Sequence, residues 1–139
     1  GAEHCCLEVR QMLERRKAES TDIERIIKYL IKEGYIDESR YAAAFVHDKV
    51  RFAKWGRAKI AQALWQKRIP AGVADEALAS IDEDEYMAAL KDVVASRYRQ
   101  TKGATEYERK MKTMKSVCSR GYEPALVRKV LKLQDSSDD

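Results

Sequence analysis

Proline occurs twice in this 139-residue chain, histidine twice, cysteine three times and glycine six times. So few helix breakers, among abundant Ala, Leu, Glu, Lys and Arg, describe a helix-forming chain. An odd cysteine count in a chain too large to need staples excludes a disulfide framework. His4, Cys5 and Cys6 are adjacent and lack the C-x₂-C or H-x₃-H spacing of a tetrahedral metal site. Cys5, Val9 and Met12 fall on one helical stripe, as do Met111, Met114 and Cys118, so these read as buried apolar residues. No apolar run approaches the roughly 18 residues of a membrane span, and no secretory-signal pattern is present. Gly1-Ala2 in place of a Met reads as a cloning scar. With 45% hydrophobic and 36% charged residues the chain can bury a core beneath an ion-rich surface, which argues against wholesale disorder. The expectation is a soluble, all-α, intracellular protein.

Catalytic signatures are missing as well. His4 and His47 belong to no Ser/His/Asp or Cys/His pattern. No G-x₄-G-K-[ST] loop or G-x-G-x-x-G turn offers backbone amides to a nucleotide phosphate. Asp82-Glu83-Asp84-Glu85 lacks the alternating acids and central Gly of an EF-hand loop; acids at a helix N-terminus complement the dipole instead. No enzymatic activity, cofactor or metal is expected.

Charge is present in blocks. Net charge is +4, from 27 basic and 23 acidic residues. Residues 1–48 carry a net −2, residues 49–81 +5, residues 82–96 −4, residues 97–133 +8 and residues 134–139 −3. Two basic blocks around a short acidic one suit a surface that meets a polyanion or an acidic partner. A solvated helical surface with interspersed charges is the alternative.

Periodicity predicts eight helices. The first covers Glu3 to Lys17, with Cys6, Val9 and Leu13 on its apolar face. The second follows a Thr21/Glu24 capping box, buries Ile23, Ile26, Ile27 and Leu30, and ends at Gly34. Asp37 caps a third, whose core side is Tyr41, Phe45 and Phe52. Gly56 opens a fourth, with Trp55 and Ile60 spaced as a hydrophobic staple; Ile60 and Leu64 face inward, and Lys59, Gln62 and Gln66 outward. Pro70 lies in the first turn of a fifth helix running to Ser80. Asp82 caps a sixth, with Tyr86, Leu90 and Val94 inward. After a linker at 100–104, a seventh uses Tyr107, Met111, Met114 and Cys118. An eighth, after Pro124, uses Leu126, Val130 and Leu131.

Self-similarity organises these helices. At an offset of 53, residues 60–78 align with 113–131: Leu64 meets Val117, Lys67 meets Arg120, Ile69 meets Tyr122, Val73 meets Leu126 and Leu78 meets Leu131. Residues 9–27 follow the same scheme with a one-residue slip near the turn. Asp37-Glu38-x-Arg40-Tyr41-x₃-Phe45 likewise parallels Asp82-Glu83-x-Glu85-Tyr86-x₃-Leu90. The expected plan is a three-helix repeat at 1–54, a second at 55–100, a two-helix truncated third at 101–134 and a disordered acidic tail at 135–139. Such helix-turn-helix-like units stack into an elongated, right-angled or curved array. Lys17, Lys67 and Arg120 each sit at an interhelix turn, either for the helix C-terminus or for a partner.

The segment LIKEGYIDESRYAAAFVHDKVRFAKWGRAKIAQALWQKRI (30–69) resembles the signature region of RecX proteins, bacterial regulators of the RecA recombinase. Its pieces are GYIDESRYAAAFV (34–46), the RF-x-K-x-G-x₃-I stretch from Arg51 to Ile60, and the L-x₂-K-x-I turn from Leu64 to Ile69. SRGYEPALVRKVL (119–131) resembles that family's last repeat. The resemblance implies tandem three-helix repeats lying along the groove of a RecA–ssDNA–ATP filament, restraining its ATPase, strand exchange and growth. The chain departs from the pattern with Lys17-Ala18 at the first turn, where family members usually carry Gly, and with a last repeat lacking a third helix.

Candidate contact residues are Arg51, Lys54, Arg57, Lys59, Lys67 and Arg68 in the middle, and Arg109, Lys112, Lys115, Arg120, Arg128, Lys129 and Lys132 near the end. Arg109 and Lys112 are spaced i,i+3 and Arg128 and Lys132 i,i+4, so each pair shares a helix face. The expected partner is the RecA filament, with weak direct binding of ssDNA or dsDNA, no membrane, a monomeric state and a cytoplasmic location. The rival reading is a helix-turn-helix-like module acting directly on nucleic acid.

Overall fold

In a computed structural model, which describes residues 4–133, eight α-helices and one π-helical turn follow one another without a strand among the described residues. They are α1 (Cys6–Arg15), α2 (Ser20–Lys32), α3 (Glu38–Asp48), the π-turn (Lys49–Ala53), α4 (Arg57–Gln66), α5 (Ala71–Ala79), α6 (Glu83–Gln100), α7 (Glu106–Cys118) and α8 (Pro124–Leu131). The all-α fold is as expected. The expected scar at residues 1–2 and the acidic tail at 135–139 lie outside the described residues.

The helices gather into two compact units. The first joins the chain up to Val46 with Ala63–Ser80; the second joins His47–Gln62 with the chain from Ile81 onward. In the first, Val9, Ile23, Ile27 and Ile36 form a buried cluster, with Cys6, Leu13, Ala18 and Leu30 packed against it. The second buries Ile60, Tyr86, Leu90, Val117, Tyr122 and Val127. Fully burying a side chain of this size contributes about 1.5–3 kcal/mol, so each unit rests on a handful of such residues.

Capping follows the sequence in most places. Asp37 accepts the Arg40 amide at 3.0 Å, Asp82 that of Glu85 at 2.9 Å, and Thr105 that of Glu108 at 3.1 Å. Each satisfies an orphan amide of the first turn. Two expectations fail. Helix α2 begins at Ser20 behind Glu19, so Thr21 lies inside the first turn; Glu24 pairs with Arg10 instead of forming a capping box. Pro70 is the residue before α5 and Ser80 the one after it.

Four large side chains expected inside lie outside. Phe52 is 72% exposed because the π-turn at Lys49–Ala53 adds residues to the helical winding, turning Val50 inward instead. Tyr107 is 67% exposed and Met111 also faces out, so Thr113, Met114 and Val117 carry the buried face of α7. Met12 is exposed while its stripe partners Cys5 and Val9 are buried. In α8 the buried positions are Val127 and Leu131, with Leu126 and Val130 half-buried.

The repeat is legible in backbone hydrogen bonds. At the α1–α2 turn, Arg16 and Ala18 amides donate to the Leu13 carbonyl, both at 3.1 Å, and Lys17 donates to Glu14 at 2.9 Å. At the α4–α5 turn, Lys67 and Ile69 donate to Leu64 at 3.2 and 3.1 Å, and Arg68 to Trp65 at 2.9 Å. At the α7–α8 turn, Arg120 donates to Val117 at 3.0 Å and Gly121 to Cys118 at 2.9 Å. Lys17, Arg68 and Gly121 are therefore equivalent, and all three have positive φ: 60°, 58° and 96°. This corrects the sequence alignment, since Arg16-Lys17, not Lys17-Ala18, matches Lys67-Arg68 and Arg120-Gly121.

A left-handed residue with a Cβ costs roughly 1–2 kcal/mol, more than the roughly 0.5–1 kcal/mol of chain entropy that glycine adds. Lys17→Gly and Arg68→Gly are each expected to raise unfolding free energy by about 0.5–1 kcal/mol. Gly121→Ala is expected to lower it sharply, because a Cβ there would lie 2.5 Å from the Lys59 nitrogen. Urea unfolding followed by circular dichroism checks all three; equal stability of the two glycine variants and the parent would contradict the strain.

Candidate partner interface

The best-defined polar assembly lies in the second unit, where α4 begins. The first amides of any helix lack intrahelical acceptors. Here Gly56 N–H donates to the Arg120 carbonyl at 2.8 Å and Ala58 N–H to the Gly121 carbonyl at 3.1 Å. Arg57 N–H donates to the Tyr86 hydroxyl at 3.0 Å. The backbones approach so closely that a Cβ on Gly56 would lie 2.1 Å from the Gly121 carbonyl carbon. Glycine at both positions is thus a packing requirement.

Charged side chains lock this junction. The Arg57 guanidinium donates to Glu123 at 2.6 Å, pairs with Glu83 and stacks 4.0 Å from the Tyr86 ring centre. Burial opposes the charge on Arg57, but Glu123 and Glu83 outweigh it and raise the pKa. The Tyr86 hydroxyl donates to the same Glu123 carboxylate. Burial, reinforced by Glu123, pushes its pKa well above 10. Tyr122 packs against it with ring centres 5.5 Å apart, and burial pushes its pKa up to about 12. The enclosed Tyr122 hydroxyl meets no hydrogen-bond partner among the described residues.

Arg120 fixes the chain before α4. Its Nε and Nη2 donate to the carbonyls of Lys54 and Ala53 at 3.1 and 2.5 Å. Arg109 does the same at the end of α6, donating from Nε and Nη2 to the Tyr98 carbonyl at 3.0 and 2.8 Å while stacking on the Tyr98 ring. In the first unit Lys67 sits 5.7 Å from the ring centres of Tyr41 and Phe45 and 3.7 Å from Glu8. Its hydrogen bond with Tyr41 raises its pKa, with Glu8 adding to the effect.

The candidate cations therefore fall into three settings. Arg57, Arg109, Arg120 and Lys67 hold the fold together. Arg51, Lys54 and Lys112 lie at the surface paired with Glu85, Asp92 and Glu108 at 3.8, 3.3 and 2.9 Å. Lys59, Arg68, Lys115, Lys129 and Lys132 are exposed, and Arg128 is half-buried. Lys59 rests 4.5 Å from the ring centre of Trp55, whose other neighbour is Lys49 at 4.6 Å. Trp55 is half-buried between these ammonium groups.

Sequence reading passed over Trp65. Its ring is 77% exposed, beside Arg68 and Ile69 in an open cleft at the α4–α5 turn. The signal was available: Trp65 follows the inward Leu64 and shares the outer face with Gln62 and Gln66. Large exposed aromatics of this kind anchor protein interfaces. Among the described residues no group of three His, Cys, Asp or Glu side chains could hold a metal ion, and no helix is long and apolar enough to cross a membrane.

Comparison with known proteins identifies the relatives. Residues 37–78 match the family profile "RecX, second three-helix domain" and residues 83–131 match "RecX, third three-helix domain". A "Regulatory protein RecX" of Chlorobium phaeobacteroides (strain BS1) is 30% identical over 129 residues, covering 93% of this chain and 83% of that protein. The chain belongs to the RecX family. The matched ranges hold α3–α5 and α6–α8, the helices whose first residues follow Asp37 and Asp82. The Clostridium acetobutylicum "Regulatory protein RecX" is 28% identical over 90% of the chain, which spans 59% of that relative's length. Two crystal structures share the fold. One, of a regulatory protein RecX, has a TM-score of 0.85 at 22% identity over 94% of this chain and 65% of its own. The other, of RecX from Lactobacillus salivarius, has a TM-score of 0.82 at 18% identity over 94% and 84%.

Tyr86 and Tyr122 make opposite predictions. Tyr86→Phe strands the Arg57 amide and is expected to cost about 1–3 kcal/mol, whereas Tyr122→Phe removes an unpaired hydroxyl and is expected to be neutral or stabilising. Folding raises the pKa of both phenols, so alkaline pH works against the folded state: stability is unaffected by them below about pH 10 and falls as pH climbs from there toward the folded values. Urea unfolding of both variants, and of the parent from pH 8 to 11.5, checks this. Equal losses in the two variants, or a flat alkaline profile, would refute it.

Proposed function

We propose that this chain is a non-enzymatic, cytoplasmic regulator that binds the RecA–ssDNA–ATP filament as a monomer and restrains its ATPase, strand exchange and growth. Membership of a family whose members are named regulatory proteins is the observation that carries the reading. The surface suits it. Lys59, Arg68, Lys115, Lys129 and Lys132 present exposed positive charge, and Trp65 offers an aromatic anchor next to Arg68. Charge of this sort steers encounter, while desolvated aromatics supply affinity.

Arg57, Lys67, Arg109 and Arg120 act here mainly through the fold, so their reversal would confound a binding test. The informative set is Lys59, Arg68, Lys115 and Lys129 changed to Glu, with Trp65→Ala separately. Both variants are expected to keep their helicity and to need at least tenfold more protein to inhibit ssDNA-dependent ATP hydrolysis by RecA, about 1.4 kcal/mol of lost binding. Titration of that hydrolysis, beside direct binding to bare ssDNA, provides the measurement. No inhibition by the parent, with ssDNA binding whose log K falls by about 0.7 per phosphate for each decade of salt, would favour the nucleic-acid module.

A further inference from the structure

A polar cavity of about 350 Å³ opens on the second unit between α6 and the residues before α4, lined by Lys54, Asp92, Ser96, Arg97, Gln100 and Arg120. Three cations face one carboxylate there, for a net +2. Two of the cations are held in place by the backbone. Lys54 is left-handed, with φ at 55° although it carries a Cβ, a conformation that persists only where its surroundings enforce it. The enforcing contact is Arg120, whose guanidinium grips the Ala53 and Lys54 carbonyls at 2.5 and 3.1 Å. Those bonds use two of its five N–H groups. Lys54 Nζ reaches Asp92 at 3.3 Å, which fixes the ammonium at the cavity wall. Arg97 has no carboxylate partner among the described residues although its side chain is half-buried. Ser96 and Gln100, on the same turns of α6, add a hydroxyl and an amide that can complete a polar shell.

From this arrangement we propose that the cavity binds a dianionic phosphate group, either inorganic phosphate or the terminal phosphate of a small monoester. Such a group carries about −1.5 to −2 at pH 7, matching the net +2 of the walls, and guanidinium groups suit its oxygens. A phosphodiester, with one charge and two substituents, matches both charge and enclosure less well. The site is independent of the exposed cations assigned to the filament partner.

The test is heteronuclear NMR on the ¹⁵N-labelled chain at fixed ionic strength, titrated separately with inorganic phosphate, adenosine 5′-monophosphate and an oligothymidylate lacking terminal phosphates. Saturable shifts in the millimolar range or below are expected at Lys54, Ser96, Arg97, Gln100 and Arg120 with phosphate, the monophosphate or both. Arg97→Gln should weaken binding at least tenfold, whereas Asp92→Asn, which removes the opposing charge, should tighten it. Lys54→Gly relieves the left-handed strain, so it should stabilise the fold yet lose affinity, separating ligand binding from structure. Saturation at these residues with the monophosphate and not with phosphate would place the ligand among small phosphate esters. Shifts scattered over surface lysines, saturation with the oligothymidylate alone, or unchanged affinity in Arg97→Gln would overturn the proposal.

Discussion

The start of α4 is where the second unit is held together. A helix N-terminus carries unpaired amides and a partial positive charge. Ordinarily a Ser, Thr, Asp or Asn side chain answers both. Here Gly56 precedes the helix, and the acceptors are the Arg120 and Gly121 carbonyls together with the Tyr86 hydroxyl. Residues separated by 29 to 64 positions thus close one hydrogen-bonded junction. Glu123 completes it by receiving both Arg57 and Tyr86. Because the guanidinium, the phenol and the carboxylate are all partly or wholly withdrawn from water, removing one leaves the others costly to keep.

A related economy recurs at the α1–α2, α4–α5 and α7–α8 turns. A left-handed residue reverses the chain within a few residues, and at the first two turns it lets one carbonyl, Leu13 or Leu64, accept two amides. At the α7–α8 turn that residue is glycine, which also allows α4 to approach; at Lys17 and Arg68 the side chain is larger and the turn is made against strain. Equivalent geometry at three places, produced by three different residues, accounts for the weak identity between repeats. What repeats is the inward apolar position, Leu13, Leu64 or Val117, and the bonding around it.

Much of this was legible in the sequence because it follows from local chemistry. Helix existence came from apolar spacing, and Asp37, Asp82 and Pro124 marked starts whose capping needs no distant partner. The errors have nonlocal or conformational causes. Phe52 was misplaced because a π-turn changes the winding and leaves no periodic trace. The Thr21/Glu24 box failed because Glu24 found Arg10 across the α1–α2 pair. The basic residues were the hardest to read. Composition shows that Arg57, Arg109 and Arg120 are cations, yet only the fold shows that they serve backbone carbonyls and enclosed carboxylates while Lys115 and Lys129 remain at the surface. Gly56 was legible as a helix start and Arg120 as a turn residue, but the contact of Gly56 with Gly121, 65 positions apart, has no signature within either segment.

Amide hydrogen exchange at Gly56, Arg57 and Ala58 tests the junction most directly. Amides at a helix start with only water as acceptor exchange through local fraying. If the α7–α8 turn and Tyr86 hold these three as described, they are expected to exchange as slowly as the core amides of α6, with an opening free energy equal to that of the second unit. Rapid exchange at all three, with α6 and α7 still protected, would show that α4 begins independently of the turn and would contradict the account.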